Sequence, residues 1–207
     1  RCYLLGLVPT SLDTGLHGTF SITLSHLFDP HQPGWKWPEN IDKAKENNAL
    51  YTDALKSKEF KLAIAPHTWL LENCPDLNES LYLNGAKIYE GLADEEVGDA
   101  KTIEFQDQAL QMYDLRIKHF GNEEDVLNRK AFLAYKYHIG NKSKYPELLV
   151  LFDKTFNLNG NNTLDNNLIA FMDLIKRYKL TKGEITDEQI IERYNIISSI
   201  IDAKIKL

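Results

Sequence analysis

Apolar residues along most of this chain recur three and four positions apart. Leu81, Gly85, Ile88 and Leu92 form one such series, and Leu127, Ala131, Ala134 and His138 a second. Leu164, Leu168, Phe171, Ile175 and Tyr178 form a third, and Ile190, Tyr194, Ile197 and Ile201 a fourth. This period puts each series on one face of an amphipathic helix. Before residue 41 the pattern is different. Phe20, Ile22 and Leu24 alternate with Thr19, Ser21, Thr23 and Ser25, which is the period of a half-buried strand. Pro30, Pro33, Gly34 and Pro38 then interrupt any regular element. The chain therefore reads as an irregular, extended or hairpin-like N-terminal arm over 1–40 and an all-α domain over 41–207.

Residues at the expected boundaries agree with that division. Thr186 and Gln189 have the spacing of a capping box opening the last helix. Pro146 suits a first helical turn, where a missing N–H costs nothing. Gly121 and Gly160 fall where helices should stop, and Asp76 and Asn78 are expected to cap the helix that carries Leu81–Leu92.

Three segments share a register. Phe60, Ala63 and His67 are followed by Pro75; Gln106, Ala109 and Tyr113 by Gly121; Tyr145, Leu148 and Phe152 by Gly160. A small or aliphatic residue with a bulky one four positions on is the inner face of a helix, and the proline or glycine ends it. One helix pair cannot bury its own apolar face, so such units stack. The expected pairs are 42–75, 79–121, 124–159 and 163–206.

The register resembles the second helix of tetratricopeptide repeats (TPR), with Tyr51–Pro75 the closest segment and Leu83, Asn84, Gly85 and Ile88 loosely resembling the first. The steps from Ala63 to Ala109 and from Ala109 to Leu148 are 46 and 39 residues, against about 34 in the family. The excess is expected as a loop in the acidic stretch Ala93–Lys101. The phrases Cys74–Glu79, Met112–Lys118 and Leu158–Asn162 resemble exported TPR-like proteins of Bacteroidetes over about 42–205. The resemblance implies a TPR-like α-α superhelix, a right-handed solenoid of about four pairs. It also implies a periplasmic or outer-membrane-associated location and no catalytic residues.

Charge narrows the partners. The chain has a formal net charge of −6, and ten of its acidic side chains lie between residues 91 and 125, against Lys101, Arg116 and Lys118. A nucleic-acid binder needs the reverse, a basic stripe. This stretch reads as a solvated acidic face or a patch for a basic partner. No apolar run approaches a membrane span. The chain opens on Arg1, which reads as a processed or trimmed terminus; no signal peptide is visible, and Tyr3–Val8 is too short for a secretory core. Cys2 and Cys74 pair only if the arm folds back, and otherwise are two free thiols.

Chemical motifs are missing. The sequence has no HExxH, GxSxG, phosphate-binding loop, EF-hand or GxGxxG. His17, His26 and His31 lie close in sequence, but none of the six histidines is paired at helical spacing, and no metal or cofactor is expected. An enzyme would need a deep pocket with converging carboxylates or histidines, which the sequence does not name.

The function expected is a non-enzymatic helical-repeat scaffold that binds a protein or peptide in the bacterial cell envelope. Its surface would be the concave face made by the first helix of each pair, with Tyr82, Tyr89, Lys130, Tyr137, Asn166 and Arg177 on it. The alternative is glycan binding through Trp35 and Trp37, which flank Lys36. That requires both indole faces open on one ridge; otherwise the pair anchors the arm. Trp69 reads as core between helices. Eight isoleucines between Ile185 and Ile205 make a stripe too wide for one neighbouring helix. Either the Phe20–Leu24 face of the arm or another protein is expected to cover it.

Overall fold

Asn40 opens the first helix by accepting the Lys43 backbone N–H on its side-chain oxygen at 3.4 Å, and the chain is helical in long stretches from there on. The computed structural model describes residues 34–206 apart from 97 and 182, all within one compact unit, Gly34–Leu207. The expected strand at 19–25, the amino-terminal histidines and Cys2 lie outside the described residues. Among the described residues eight α-helices follow in order: α1 Ile41–Lys56, α2 Phe60–Asn73, α3 Ser80–Glu95, α4 Asp99–Phe120, α5 Glu123–His138, α6 Tyr145–Asn159, α7 Asp165–Leu180 and α8 Asp187–Ile205. Single turns of 3-10 helix at Lys142–Lys144 and Gly160–Asn162 flank α6. No strand occurs among the described residues, so the class is all-α.

The helices fall into the four expected sequence pairs, and α1–α2, α3–α4 and α5–α6 pack within themselves and on the next pair. The shared register lies where the spacing puts it. Ala63 and His67 in α2, Ala109 in α4, and Leu148 and Phe152 in α6 are buried, while Tyr113 is half-buried. Pro75, Gly121 and Gly160 follow the ends of those three helices, and both glycines take the positive φ that residues with a side chain avoid (72° and 48°). In α5 the acidic Glu123, Glu124 and Asp125 fill the first turn and Lys136 lies in the last, matching the helix dipole at both ends. Thr186 and Gln189 make both hydrogen bonds of the capping box on α8.

Close approach between pairs rests on Gly85. A Cβ there would stand 2.6 Å from His67 Cε1 and 2.8 Å from Met112 Sδ, so the absent side chain is what lets α3 lie against α2 and α4. The buried His67 ring meets the Tyr51 ring edge-on and donates Nε2–H to the Leu81 carbonyl at 2.8 Å.

Two boundary expectations are corrected. Asp76 and Asn78 do not cap α3: the helix starts at Ser80 behind Glu79, and the Asn78 side-chain oxygen takes the Ser80 hydroxyl instead. The acidic stretch Ala93–Lys101 is not a loop insertion. Helix α3 runs to Glu95 and α4 starts at Asp99, so the added length goes into α4, which has 22 residues. Ala, Lys and Glu in this stretch are good helix formers, which favours a longer helix over a loop.

The last pair is tied down by ions. Lys179 pairs with Asp187 at 2.7 Å and Lys204 with Asp165 at 2.9 Å. Arg193 forks onto Asp153 of α6 at 2.6 and 2.9 Å, and the Tyr194 hydroxyl donates to the Met172 carbonyl at 3.3 Å. Of the isoleucine stripe, Ile185, Ile197 and Ile200 are buried, Ile190 and Ile201 half-buried, and Ile191, Ile196 and Ile205 exposed.

Candidate functional site

A groove of about 500 Å³ runs between α4 and α6, with α5 among its lining. Its apolar lining comes from Leu110 and Ile117 of α4, Leu127 and Ala134 of α5, and Leu148, Val150 and Leu151 of α6. Ala134 contributes only a methyl group. Val150 has 69% of its surface exposed and sets an apolar side chain on the groove's rim.

The groove also carries charges of both signs. Lys130 Nζ pairs with Asp114 Oδ1 at 2.6 Å and joins α5 to α4. Lys154 pairs with Glu123 at 2.5 Å and joins α6 to α5. At the other end, Nε2 of the buried His138 stands 4.0 Å from Asp107 Oδ1. Burial, and then Lys144, push the His138 pKa below its ordinary value, against a weaker pull from Asp107 and Glu147. The ring is therefore neutral at pH 7. The carboxylate of Glu147 is held low by its 2.8 Å bond from Lys144. Asp114, Glu123 and Glu147 are thus each paired with a lysine, and Asp107, beside neutral His138, leaves the groove one negative charge in excess. Its lining contains no serine, threonine or cysteine. What it offers chemically is an apolar trough edged by fixed carboxylates.

Of the expected surface residues, Lys130 lines this groove. Tyr82 is buried, donating its hydroxyl to the Pro75 carbonyl at 2.6 Å and stacking on His119. Tyr89 is buried and stacks on Phe105 of α4. Both belong to the α3–α4 core because they flank Ile88 and Leu81 on the inner face. Tyr137 is half-buried, and burial followed by Glu90 raises its phenol pKa well above the ordinary value. Asn166 is half-buried, and Arg177 is exposed and held by Asp173 of its own helix at 2.5 Å.

Trp35 and Trp37 stack on each other, ring centres 5.1 Å apart and planes 27° from parallel, and both pack against the core. Between them the Lys36 backbone N–H donates to the Leu77 carbonyl at 2.9 Å, and Lys45 lies over the Trp37 ring. Each indole turns a face toward the other, so the two do not present an open ridge. Residues 34–40, which the sequence assigns to the arm, are part of the helical unit. Trp69 packs on the core from α2.

The groove is walled by the second helices α4 and α6 and floored by the first helix α5, whereas the expected surface was made of first helices alone. Asp107, Gln111 and Asp114 form a polar line at spacings of four and three along α4, a signal that was present but uncoupled from any partner helix. Among the described residues no three His, Cys, Asp or Glu side chains converge as a metal site requires. No described helix is long and apolar enough to cross a membrane. Cys74 is buried, and its thiol pKa is pushed up to about 11, chiefly by burial. Comparison of the chain with protein-family models, characterised proteins and solved structures finds no match.

Proposed function

We propose that this chain is a non-enzymatic helical-repeat scaffold whose α4–α6 groove holds a peptide segment of another protein. The segment has apolar anchors flanked by Lys or Arg. The observation that carries this reading is the groove itself: an apolar trough beside exposed Val150, edged by four carboxylates of which Asp107 alone has no lysine partner among the described residues. Apolar anchors desolvated in such a trough supply affinity, and the acidic edges select charge and speed encounter. The stacking of four helix pairs as a right-handed TPR-like superhelix belongs to the same proposal, as does a place in the bacterial cell envelope, which rests on the sequence resemblance.

The test is a selection of random 12-residue peptides on the immobilised full chain, with the Val150→Lys chain as competitor. The reading expects basic peptides with two or more large apolar residues that prefer the unmodified chain. Enrichment of acidic peptides, or of peptides that bind both chains equally, contradicts it.

A further inference from the structure

Ile191, Ser198 and Ile205 follow one another at seven-residue intervals along α8. Residues so spaced make one nearly straight line on a helix. Ile191 is 59% and Ile205 78% exposed, and Ser198 is exposed between them. The line lies away from α6, because Arg193, which reaches Asp153 there, is two residues and so over half a turn from Ile191. Helix α7 carries a second apolar line, with Ile169 71% and Leu180 72% exposed and Met172 between them. The two helices run antiparallel, held at one end by Lys179–Asp187 and at the other by Lys204–Asp165. Each of the two helices thus leaves a line of apolar side chains exposed, surface of the kind that marks an interface.

We propose that this face docks a second copy of the chain, with the two α8 helices antiparallel across a two-fold axis at Ser198. A two-fold contact needs a patch complementary to itself. Ile191 and Ile205 are equidistant from Ser198, so the axis sets each isoleucine against the other's counterpart. The small Ser198 falls where the backbones come closest. Charge selects the same arrangement. Asp187, Glu188 and Glu192 occupy the first half of α8, and Lys204 and Lys206 its end. Antiparallel pairing brings Glu188 and Glu192 of one copy beside Lys206 of the other, Lys204 being already held by Asp165 of α7, whereas parallel pairing stacks like on like. The last 32 residues hold seven positive and five negative side chains, so this end escapes the self-repulsion that residues 91–125 impose on two acidic chains.

The experiment is sedimentation equilibrium of the full chain from ~1 μM to ~1 mM, a range that covers modest to weak self-association. The proposal expects a monomer–dimer equilibrium that ends at the dimer. Ile191→Glu with Ile205→Glu should leave a monomer at every concentration, with unchanged helical circular dichroism, since both side chains are exposed. Glu188→Lys with Glu192→Lys should weaken the dimer at least ~10-fold, and adding Lys206→Glu should recover part of that loss. A monomer throughout the range overturns the proposal and gives the face to residues 1–33 or a different protein. So does a dimer indifferent to the isoleucine changes. Self-association that is lost on Leu62→Glu rather than on the α8 changes also overturns it, because Leu62, 66% exposed on α2, would then lie in the contact.

Discussion

Asn128 Nδ2 donates to Asn159 Oδ1 at 2.9 Å inside the protein, joining the middle of α5 to the last residue of α6. The same carboxamide reaches further. Its nitrogen also donates to the Asn162 carbonyl at 2.9 Å, and its oxygen accepts the Leu164 N–H at 3.0 Å and Asn167 Nδ2 at 2.9 Å. Asn159 in turn donates to the Glu124 and Thr155 carbonyls. One buried amide therefore sets the entry of α7 against the α5–α6 pair. The network is satisfied except at Asn167 Oδ1, which has no partner among the described residues, and its members act as a unit rather than as separate pairs.

Replacing Asn128 by leucine keeps the bulk and removes the bonds. The buried Asn159 Oδ1 then loses its donor, at ~1–3 kcal/mol, and the part-buried Asn162 carbonyl and Leu164 N–H lose their Asn128 partners as well. A loss of about 3 kcal/mol or more is expected in urea unfolding. Asn128→Ala and Asn167→Ala should also couple, their combined cost departing from the sum by about 1 kcal/mol or more. Simple additivity would mean that the bonds do not act together.

Gly85→Ala places a methyl group 2.6 Å from His67 Cε1. His67 cannot move away, because Leu81 holds Nε2 and Tyr51 closes on the ring. A cost of about 1–3 kcal/mol is expected from overpacking. In a His67→Ala background the same change should cost far less. Equal costs in both backgrounds would show that the contact does not determine how closely α3 packs.

Much of this architecture could be read from the sequence. The 3.6-residue period, Gly121, Gly160 and the Thr186–Gln189 box place the helices because apolar spacing and end chemistry are local. The Asn128–Asn159–Asn167 network was not legible: asparagine favours turns and caps, and its partners here lie 31 to 39 residues away. The groove was half legible. Lys130 and the polar line Asp107–Gln111–Asp114 are visible on α5 and α4, but which helices wall a trough is decided by packing. Tyr82 and Tyr89 were misplaced because a tyrosine beside an apolar stripe can take either side of the burial boundary, and here both complete the α3–α4 core.

Two buried histidines give the fold a pH dependence. Burial holds His67 below its ordinary pKa, partly offset by the Leu81 carbonyl, and its Nδ1 has no partner inside the protein. His138 is lowered in the same sense. The unfolded chain therefore binds more protons than the folded one as pH drops below about 6.5. Stability is fully present above that pH and falls below it, by up to about 1.4 kcal/mol per pH unit per histidine. Urea unfolding between pH 7.5 and 5.5 should show this slope, and His67→Gln should reduce it. An unchanged slope in that variant would remove His67 from the account.

The groove's role is tested most directly by calorimetric titration of the full chain with two peptides of 12 residues. Both carry the same leucines; one has lysine and the other glutamate at the remaining positions. The account predicts binding of the lysine peptide alone, weakening as salt is raised, and lost in Val150→Lys. Binding of the glutamate peptide, or lysine-peptide binding that survives Val150→Lys, would contradict it.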